Sequence, residues 1–113
     1  MLSDILEEHF DEASLLYVRL KMTRDAVSSL AALEIETRLR FHIQGLLLGG
    51  KKVWAVCEPK LRSPDPGELF VAALAGLQDE ETRPAVLERA RDSTHVKTAL
   101  QDALLLQKAL LEQ

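Results

Sequence analysis

Hydrophobic residues recur every three to four positions along much of this chain, which is the spacing of one face of an α-helix. The first such stripe predicts a helix over about residues 4–22, and the second predicts a helix over about residues 29–48. Gly49 and Gly50 follow the second stripe, and glycine supplies the left-handed residue that ends many helices. We therefore predict two long helices that pack antiparallel across a connector of about five residues. The second stripe consists of Leu30 or Leu33, Ile35, Leu39, His42 with Ile43, Leu46 and Leu47.

The next part of the chain predicts two helices separated by a loop. A third helix, over about residues 51–61, should kink or end just before Pro59, which has no backbone N–H to donate. The stretch SPDPG is the clearest loop, in which Asp65 can cap a fourth helix and Pro66 can occupy its first position. That helix, over about residues 66–78, is apolar almost all round, which predicts burial between neighbouring helices.

Two further helices complete the predicted fold. Thr82 can cap a fifth helix over about residues 83–91, and Ser93 or Thr94 can cap a sixth over about residues 94–112. Two short helices followed by a longer one, with tight turns between them, are typical of stacked helical hairpins. We therefore predict an all-α fold of about six helices arranged in antiparallel hairpins.

The composition supports packed helices in a single domain over residues 1–113. Hydrophobic residues make up 47% of the chain and aromatic residues only 4%. Leu and Ala, which both favour helices, supply most of the apolar content. Because Trp54 and Phe70 are among very few aromatic residues in such a core, we predict that both are substantially buried.

Charge and cysteine content restrict the classes of partner. The formal net charge is -4, with acids and bases interspersed, which disfavours a nucleic-acid partner. The single cysteine excludes an internal disulfide framework and fits a reducing compartment. The sequence also has no apolar run of about 18 residues that could span a membrane, and its acidic start is unlike a signal peptide. We therefore expect a cytoplasmic protein that binds neither nucleic acid nor membranes.

The residues that could carry chemistry are few and scattered. His9, His42 and His95 lie on three different predicted helices and lack the close pairing of a metal site. His42 borders the second apolar stripe, so we expect a partly buried histidine bonded to a neighbour. Cys57 lies next to apolar residues and is best explained as a small buried hydrophobe. We therefore expect no catalytic residues, no metal and no other cofactor.

An acidic surface is predicted on the first helix. Glu7, Glu8, Asp11 and Glu12 lie within two turns of each other. Such a cluster is either a solvated face or a surface that docks a basic partner protein.

The sixth helix contains more leucine than one buried stripe requires, namely Leu104, Leu105, Leu106, Leu110 and Leu111. Successive residues on a helix are about 100° apart, so Leu105 or Leu106 must point away from a stripe through Leu100, Leu104 and Leu111. We therefore predict that Leu105 and Leu106 help to bind another protein or a second copy of the chain. The alternative is that the first helix folds back and covers the excess leucines.

Four segments, in this order, carry a resemblance to a known family. Three of them are DILEEHFDEASLLY at residues 4–17, ETRLRFHIQGL at residues 36–46 and GELFVAAL at residues 67–74, and the fourth is the Gly50, Trp54 and Cys57 element. Over about the first 80 residues the chain resembles the N-terminal region of an uncharacterised bacterial family of HEAT-repeat-like proteins. The resemblance implies HEAT-like antiparallel hairpins. Since the family's members are mostly longer, we expect either a short relative or a fragment.

The same resemblance suggests a biological setting, because such proteins are often encoded near type VI secretion genes. Together with the absence of catalytic motifs, it implies a non-catalytic protein-binding module. The expected role is a small adaptor or co-chaperone that assists effector loading, with an effector or an effector-loading protein as partner. The alternatives are an immunity protein that occludes a toxin and a structural cap of a helical-repeat scaffold.

Overall fold

The computed structural model describes residues 2–24 and 29–111. Within these residues the chain consists of α-helices, one 3-10 helix and turns, with no strand, so the predicted all-α fold is confirmed. The connector predicted between the first two helices falls mostly on residues 25–28 and lies outside the described residues. The α-helices are α1 (Leu2–Arg24), α2 (Ser29–Leu47), α3 (Lys52–Cys57), α4 (Pro66–Leu77), α5 (Arg83–Asp92) and α6 (Thr94–Leu111).

Helices α1 and α2 pack side by side and run in opposite directions. A Cβ added at Gly45 would lie 2.6 Å from the His9 ring, and one added at Gly49 would lie 2.6 Å from Leu6. Contacts therefore move towards the start of α1 as the chain proceeds along α2, which confirms the predicted antiparallel pairing. The turn after α2 contains Gly50 with a φ angle of 61°, the left-handed conformation that glycine adopts without a steric penalty.

Helix α4 occupies the centre of the molecule. It contacts α1, α3, α5, α6 and the 3-10 helix Glu58–Arg62. Every residue from position 69 to position 77 is buried, as the apolar pattern predicts. The Asp65 carboxylate caps this helix by accepting hydrogen bonds from the backbone N–H groups of Gly67 at 2.7 Å and Glu68 at 3.3 Å. The sequence signals for the start of α4 are therefore confirmed.

The closest approach between α1 and α4 is at Gly67. A Cβ built there would lie 2.1 Å from the backbone carbonyl oxygen of Ser14. Two helix backbones thus touch directly, and only glycine leaves room for the contact. The Ser14 side chain is buried at the same crossing, and its hydroxyl donates a hydrogen bond to the carbonyl oxygen of Phe10 at 2.8 Å.

Of two local predictions, one is confirmed and one is wrong. The third helix ends just before Pro59 as predicted, because α3 ends at Cys57 and the rest of the predicted range continues as the 3-10 helix that contains Pro59. Thr82 precedes α5, but its hydroxyl does not cap that helix. It donates instead to the carbonyl oxygen of Gly76, the last turn of α4, at 2.6 Å. The hydroxyl therefore stabilises the end of one helix rather than the start of the next.

The aromatic residues of the core are buried to different degrees. Phe70 is 2% exposed and stacks on the Tyr17 ring with the ring centroids 4.1 Å apart. Trp54 is only partly buried, since its indole N–H donates to the carboxylate of Glu58 at 3.2 Å near the surface. The prediction of burial is thus confirmed for Phe70 and only partly correct for Trp54. Cys57 is fully buried, as predicted.

Candidate functional site

The leucines of α6 divide between the core and the surface. Leu105 is 68% exposed, whereas Leu106 packs partly against the core, so one of the two points away as predicted. The predicted stripe is wrong at Leu104, which is 48% exposed. Small residues take the innermost positions of α6 because α4 lies close to it, and they are Val96, Ala99 and Ala103. The side chain of Leu111 lies outside the described residues.

Beside Leu105 is a cleft between α6, α1, α2 and α4, with a volume of about 130 Å³. Aliphatic and aromatic side chains form most of its walls, and three charged side chains complete its lining. The apolar lining residues are Tyr17, Leu20, Leu39, Phe70, Leu105, Leu106 and Ala109, and the charged ones are Lys21, Glu36 and Asp102.

Polar contacts fix the wall of this cleft. The Asp102 carboxylate accepts a hydrogen bond from the hydroxyl of Tyr17 and forms an ion pair with the Lys21 ammonium at 3.1 Å. Tyr17 is buried and also stacks on Phe70, so a single side chain joins α1, α4 and α6. The cleft therefore has a fixed aromatic floor, and the charge of Asp102 is paired.

The acidic side chains predicted as a docking surface are all exposed on α1, namely Glu7, Glu8, Asp11 and Glu12. At about 100° per residue, Glu8, Asp11 and Glu12 are turned roughly 120–180° away from Tyr17, and Glu7 is turned roughly 80° away. Glu8 is also nine positions from Tyr17, which is roughly 13 Å along the helix axis. The structure therefore does not bring the acidic face and the α6 leucines into one site.

A histidine pair connects α1 with α2. The Nδ1 atoms of His9 and His42 are 3.0 Å apart, within hydrogen-bond distance, so His42 is bonded to a neighbour as predicted. Burial is the main cause that lowers the pKa of His42 from its ordinary 6.5. The neighbouring His9 and Arg38 lower that pKa further, while Glu12 opposes them. Sequence reasoning could have found the pair, because both residues occupy the contact side of an antiparallel hairpin.

The remaining candidate residues stay apart. Among the described residues no group of three His, Cys, Asp or Glu side chains could hold a metal ion. His95 lies at the surface of α6, away from the histidine pair. Burial raises the pKa of the Cys57 thiol to about 12, so the thiol stays protonated at neutral pH and is a poor nucleophile.

A second apolar surface lies on α2 and contradicts part of the predicted stripe. Leu39, Ile43 and Leu46 are buried as predicted, but Leu30 and Leu33 are exposed. The reason is geometric, because Leu30 is nine residues from Leu39 and so lies half a rotation away from it. Two further exposed apolar residues lie on the same outer side as Leu30, namely Phe41 at 63% and, just past the end of α2, Leu48 at 88%.

The exposed leucines bear on the predicted alternative in which the first helix folds back over them. Helix α1 packs against α2 and buries Leu46, but it leaves Leu48, Leu104 and Leu105 exposed. Folding back of the first helix therefore does not cover the excess leucines.

Comparison of the chain with protein family models, with curated proteins and with solved structures found no match. The resemblance to the HEAT-repeat-like family therefore stays a prediction. Within residues 2–24 and 29–111, no helix combines the length and the apolar character needed to cross a membrane.

Proposed function

We propose that the protein is a non-catalytic protein-binding module and that the cleft beside Leu105 is its binding site. The observation that carries the proposal is the 68% exposure of Leu105 at the edge of an apolar cleft. An exposed large aliphatic side chain next to a concave apolar surface is typical of a site that a partner covers.

The dimensions of the cleft favour one apolar side chain as its occupant. Its volume is about 130 Å³. An apolar cavity of about 150 Å³ in another protein binds a molecule as large as benzene. A partner leucine, isoleucine or phenylalanine could therefore insert between α6 and the Tyr17 ring.

The charged lining favours a protein segment over a small apolar ligand. Protein interfaces combine an apolar centre with a polar rim, and one buried anchor residue often supplies much of the affinity. Here Lys21 and Glu36 border the apolar lining and could pair with polar groups on either side of the anchor. The expected partner segment is thus amphipathic, with an apolar anchor flanked by polar residues.

A narrower role comes from the family resemblance. We propose a cytoplasmic adaptor or co-chaperone that presents an effector or an effector-loading protein to a type VI secretion system. The exposed acidic face of α1 would then offer a second docking surface for a basic region of that partner. An immunity protein that occludes a toxin is the alternative, and a toxin gene next to this one would favour it.

Affinity capture from the native host with three baits tests the proposal. The baits are the wild type, Leu105→Glu, and Leu104→Glu as a matched control on the adjacent exposed position of α6. Leu106 is left unchanged because it packs against the core. We expect the wild type and Leu104→Glu to capture similar amounts of one partner protein. Leu105→Glu should capture at least about 10-fold less of it, because a charge buried in the cleft opposes insertion of the apolar anchor.

The captured protein distinguishes the narrower roles. An effector or an effector-loading protein supports the adaptor, and a toxin supports the immunity protein. If every protein captured by the wild type is captured equally by Leu105→Glu, the cleft is not the binding site and the proposal is wrong.

A further inference from the structure

Helix α2 has apolar residues on two opposite sides, and the described residues cover only one of them. Its inner side packs on α1 through Leu39, Ile43 and Leu46. The other side, which we call the outer face of α2, is exposed at 78% for Leu30, 59% for Leu33 and 63% for Phe41. The outer face consists of residues spaced three or four apart, which are Leu30, Leu33, Thr37, Phe41 and Gln44.

The centre of the outer face is compatible with apolar contact. The hydroxyl of Thr37 donates a hydrogen bond to the carbonyl oxygen of Leu33 at 2.9 Å, one turn back in the same helix. Its polar group is therefore satisfied within α2, and its methyl group remains for contact with another surface.

Charged pairs border the outer face on both sides. Helical geometry places Glu34 and Arg38 along one border, and Glu36 and Arg40 along the other. Arg40 forms an ion pair with Glu36 at 2.8 Å. On both borders the acid precedes the base, so the first half of α2 is negative next to the outer face and the second half is positive.

We propose that the outer face of α2 binds the same face of a second copy of this chain, with the two helices antiparallel and the two-fold axis at Thr37. This register places Leu33 opposite Phe41 of the second copy and Leu30 opposite Gln44. It also brings each negative half of α2 next to the positive half of the other copy. The charge pattern of α2 is therefore complementary to itself.

The charges also determine the direction of pairing. In antiparallel helices the same borders meet, so Glu34 faces Arg38 of the second copy and Glu36 faces Arg40, each offset by about 3 Å along the axis. By symmetry these make four opposite-charge contacts, which outnumber the two like-charge contacts at the same offset, Arg38 with Arg38 and Glu36 with Glu36. In parallel helices, Glu34 would meet Glu36 and Arg38 would meet Arg40. Like charges at these positions oppose the parallel arrangement and select the antiparallel one.

The size of the outer face predicts a weak, reversible dimer. Helix α2 contains 19 residues, so it is roughly 28 Å long. One helix contributed by each copy covers less than the about 800 Å² per partner of a standard stable interface. We expect a dissociation constant in the micromolar range. The cleft beside Leu105 is a separate surface, although Glu36 borders both.

Sedimentation equilibrium over a concentration series tests the dimer. Thr37→Glu places two like charges at the two-fold axis on an exposed position and should weaken dimerisation at least about 10-fold with unchanged helicity. Leu104→Glu on α6 is the matched control and should leave the dissociation constant unchanged. The proposal is contradicted if the wild type stays monomeric up to millimolar concentration. It is also contradicted if Leu104→Glu disrupts the dimer while Thr37→Glu leaves it intact.

Charge exchange tests the pairing across the interface. Glu34→Arg and Arg38→Glu should each weaken dimerisation several-fold, because each places like charges opposite one another. The double variant Glu34→Arg/Arg38→Glu should restore the wild-type dissociation constant to within about two-fold. Additive weakening in the double variant would contradict the proposed pairing.

Oxidative crosslinking tests the register and direction. Position 37 lies on the axis, so Thr37→Cys should form a disulfide-linked dimer, whereas Leu48→Cys would place the two sulfur atoms roughly 33 Å apart. Cys57 is fully buried, so the wild type provides the uncrosslinked baseline. Equal crosslinking through positions 37 and 48 indicates a parallel dimer, and no crosslinking through position 37 excludes the proposed axis. Either result overturns the proposal.

Discussion

At the residue scale, single contacts hold the helices in their arrangement. Gly67 lets the backbones of α1 and α4 touch, and Tyr17 joins α4 and α6 through its ring and hydroxyl. His9 and His42 connect α1 with α2. Each of these residues bridges elements that are distant in sequence, so substitutions there should affect packing between helices more than the helices themselves.

Gly67→Ala should destabilise the protein by about 3 kcal/mol, the upper end of what overpacking usually costs. The added methyl group would meet the Ser14 backbone, which can move only if the two helices separate. Gly50→Ala is the control, since its methyl group meets no atom and only its positive φ angle opposes the change. The control should cost about 1 kcal/mol. Equal urea denaturation midpoints for the two variants would show that the close crossing is absent.

Stability should fall as the pH is lowered from about 7 to about 5, partly because of His42. Its pKa in the folded chain lies below the ordinary 6.5, so the unfolded chain takes up a proton more readily. The contribution of His42 is complete above pH 6.5 and is lost as the pH falls through the lowered pKa. Thermal unfolding of His42→Asn should show a smaller decrease over this range than thermal unfolding of the wild type. Parallel pH profiles for His42→Asn and the wild type would contradict this role.

At the element scale, the sequence predicts burial best for a helix whose apolar pattern allows only one arrangement against the core. Helix α4 is apolar almost all round, so its burial can be predicted without knowing which helices pack against it. Asp65 and Pro66 mark its start. Helices α2 and α6 carry apolar residues on more than one side. Their periodicity cannot show which side meets the core, and the predictions are wrong at Leu30, Leu33 and Leu104 for this reason.

The cleft could not be predicted from the sequence, because it is formed by contacts between residues that no local pattern links. Leu105 was predicted from the sequence as a site residue, because helical geometry requires one of two adjacent leucines to point outward. The walls of the cleft come from four helices, and Tyr17 and Asp102 are 85 positions apart. Their pairing follows only from the packing of α1 and α6 around α4.

The different burial of Phe70 on α4 and Trp54 on α3 predicts that losing the two side chains costs different amounts of stability. Phe70→Ala should cost about 3–5 kcal/mol, because the ring is buried at the centre of the core and stacks on Tyr17. Trp54→Ala should cost less, since part of the indole is exposed and its N–H bonds to a surface carboxylate. Chemical denaturation of both variants measures the difference. A larger loss for Trp54→Ala would place the main aromatic contact of the core at α3 instead of α4.

At the scale of the whole molecule, a compact shape coexists with uncovered apolar surface. The radius of gyration is 13.2 Å, close to the roughly 13 Å expected for a compact chain of about 100 residues. Leu105 and Phe41 are thus exposed on a chain that is not expanded overall. The exposed residues form two separate surfaces, the cleft and the outer face of α2, and we assign the first to a different protein and the second to another copy of the chain.

Site-specific photocrosslinking in the native host tests the central claim, which is that the cleft binds a different protein. A photoreactive phenylalanine analogue is placed at position 105, and at position 104 as the control. We expect the analogue at position 105 to form an adduct with a different protein in high yield. At position 104 the yield of that adduct should be at most about a tenth as large. Equal adducts from both positions, no adduct from position 105, or an adduct that contains only two copies of this 12.6 kDa chain would contradict it.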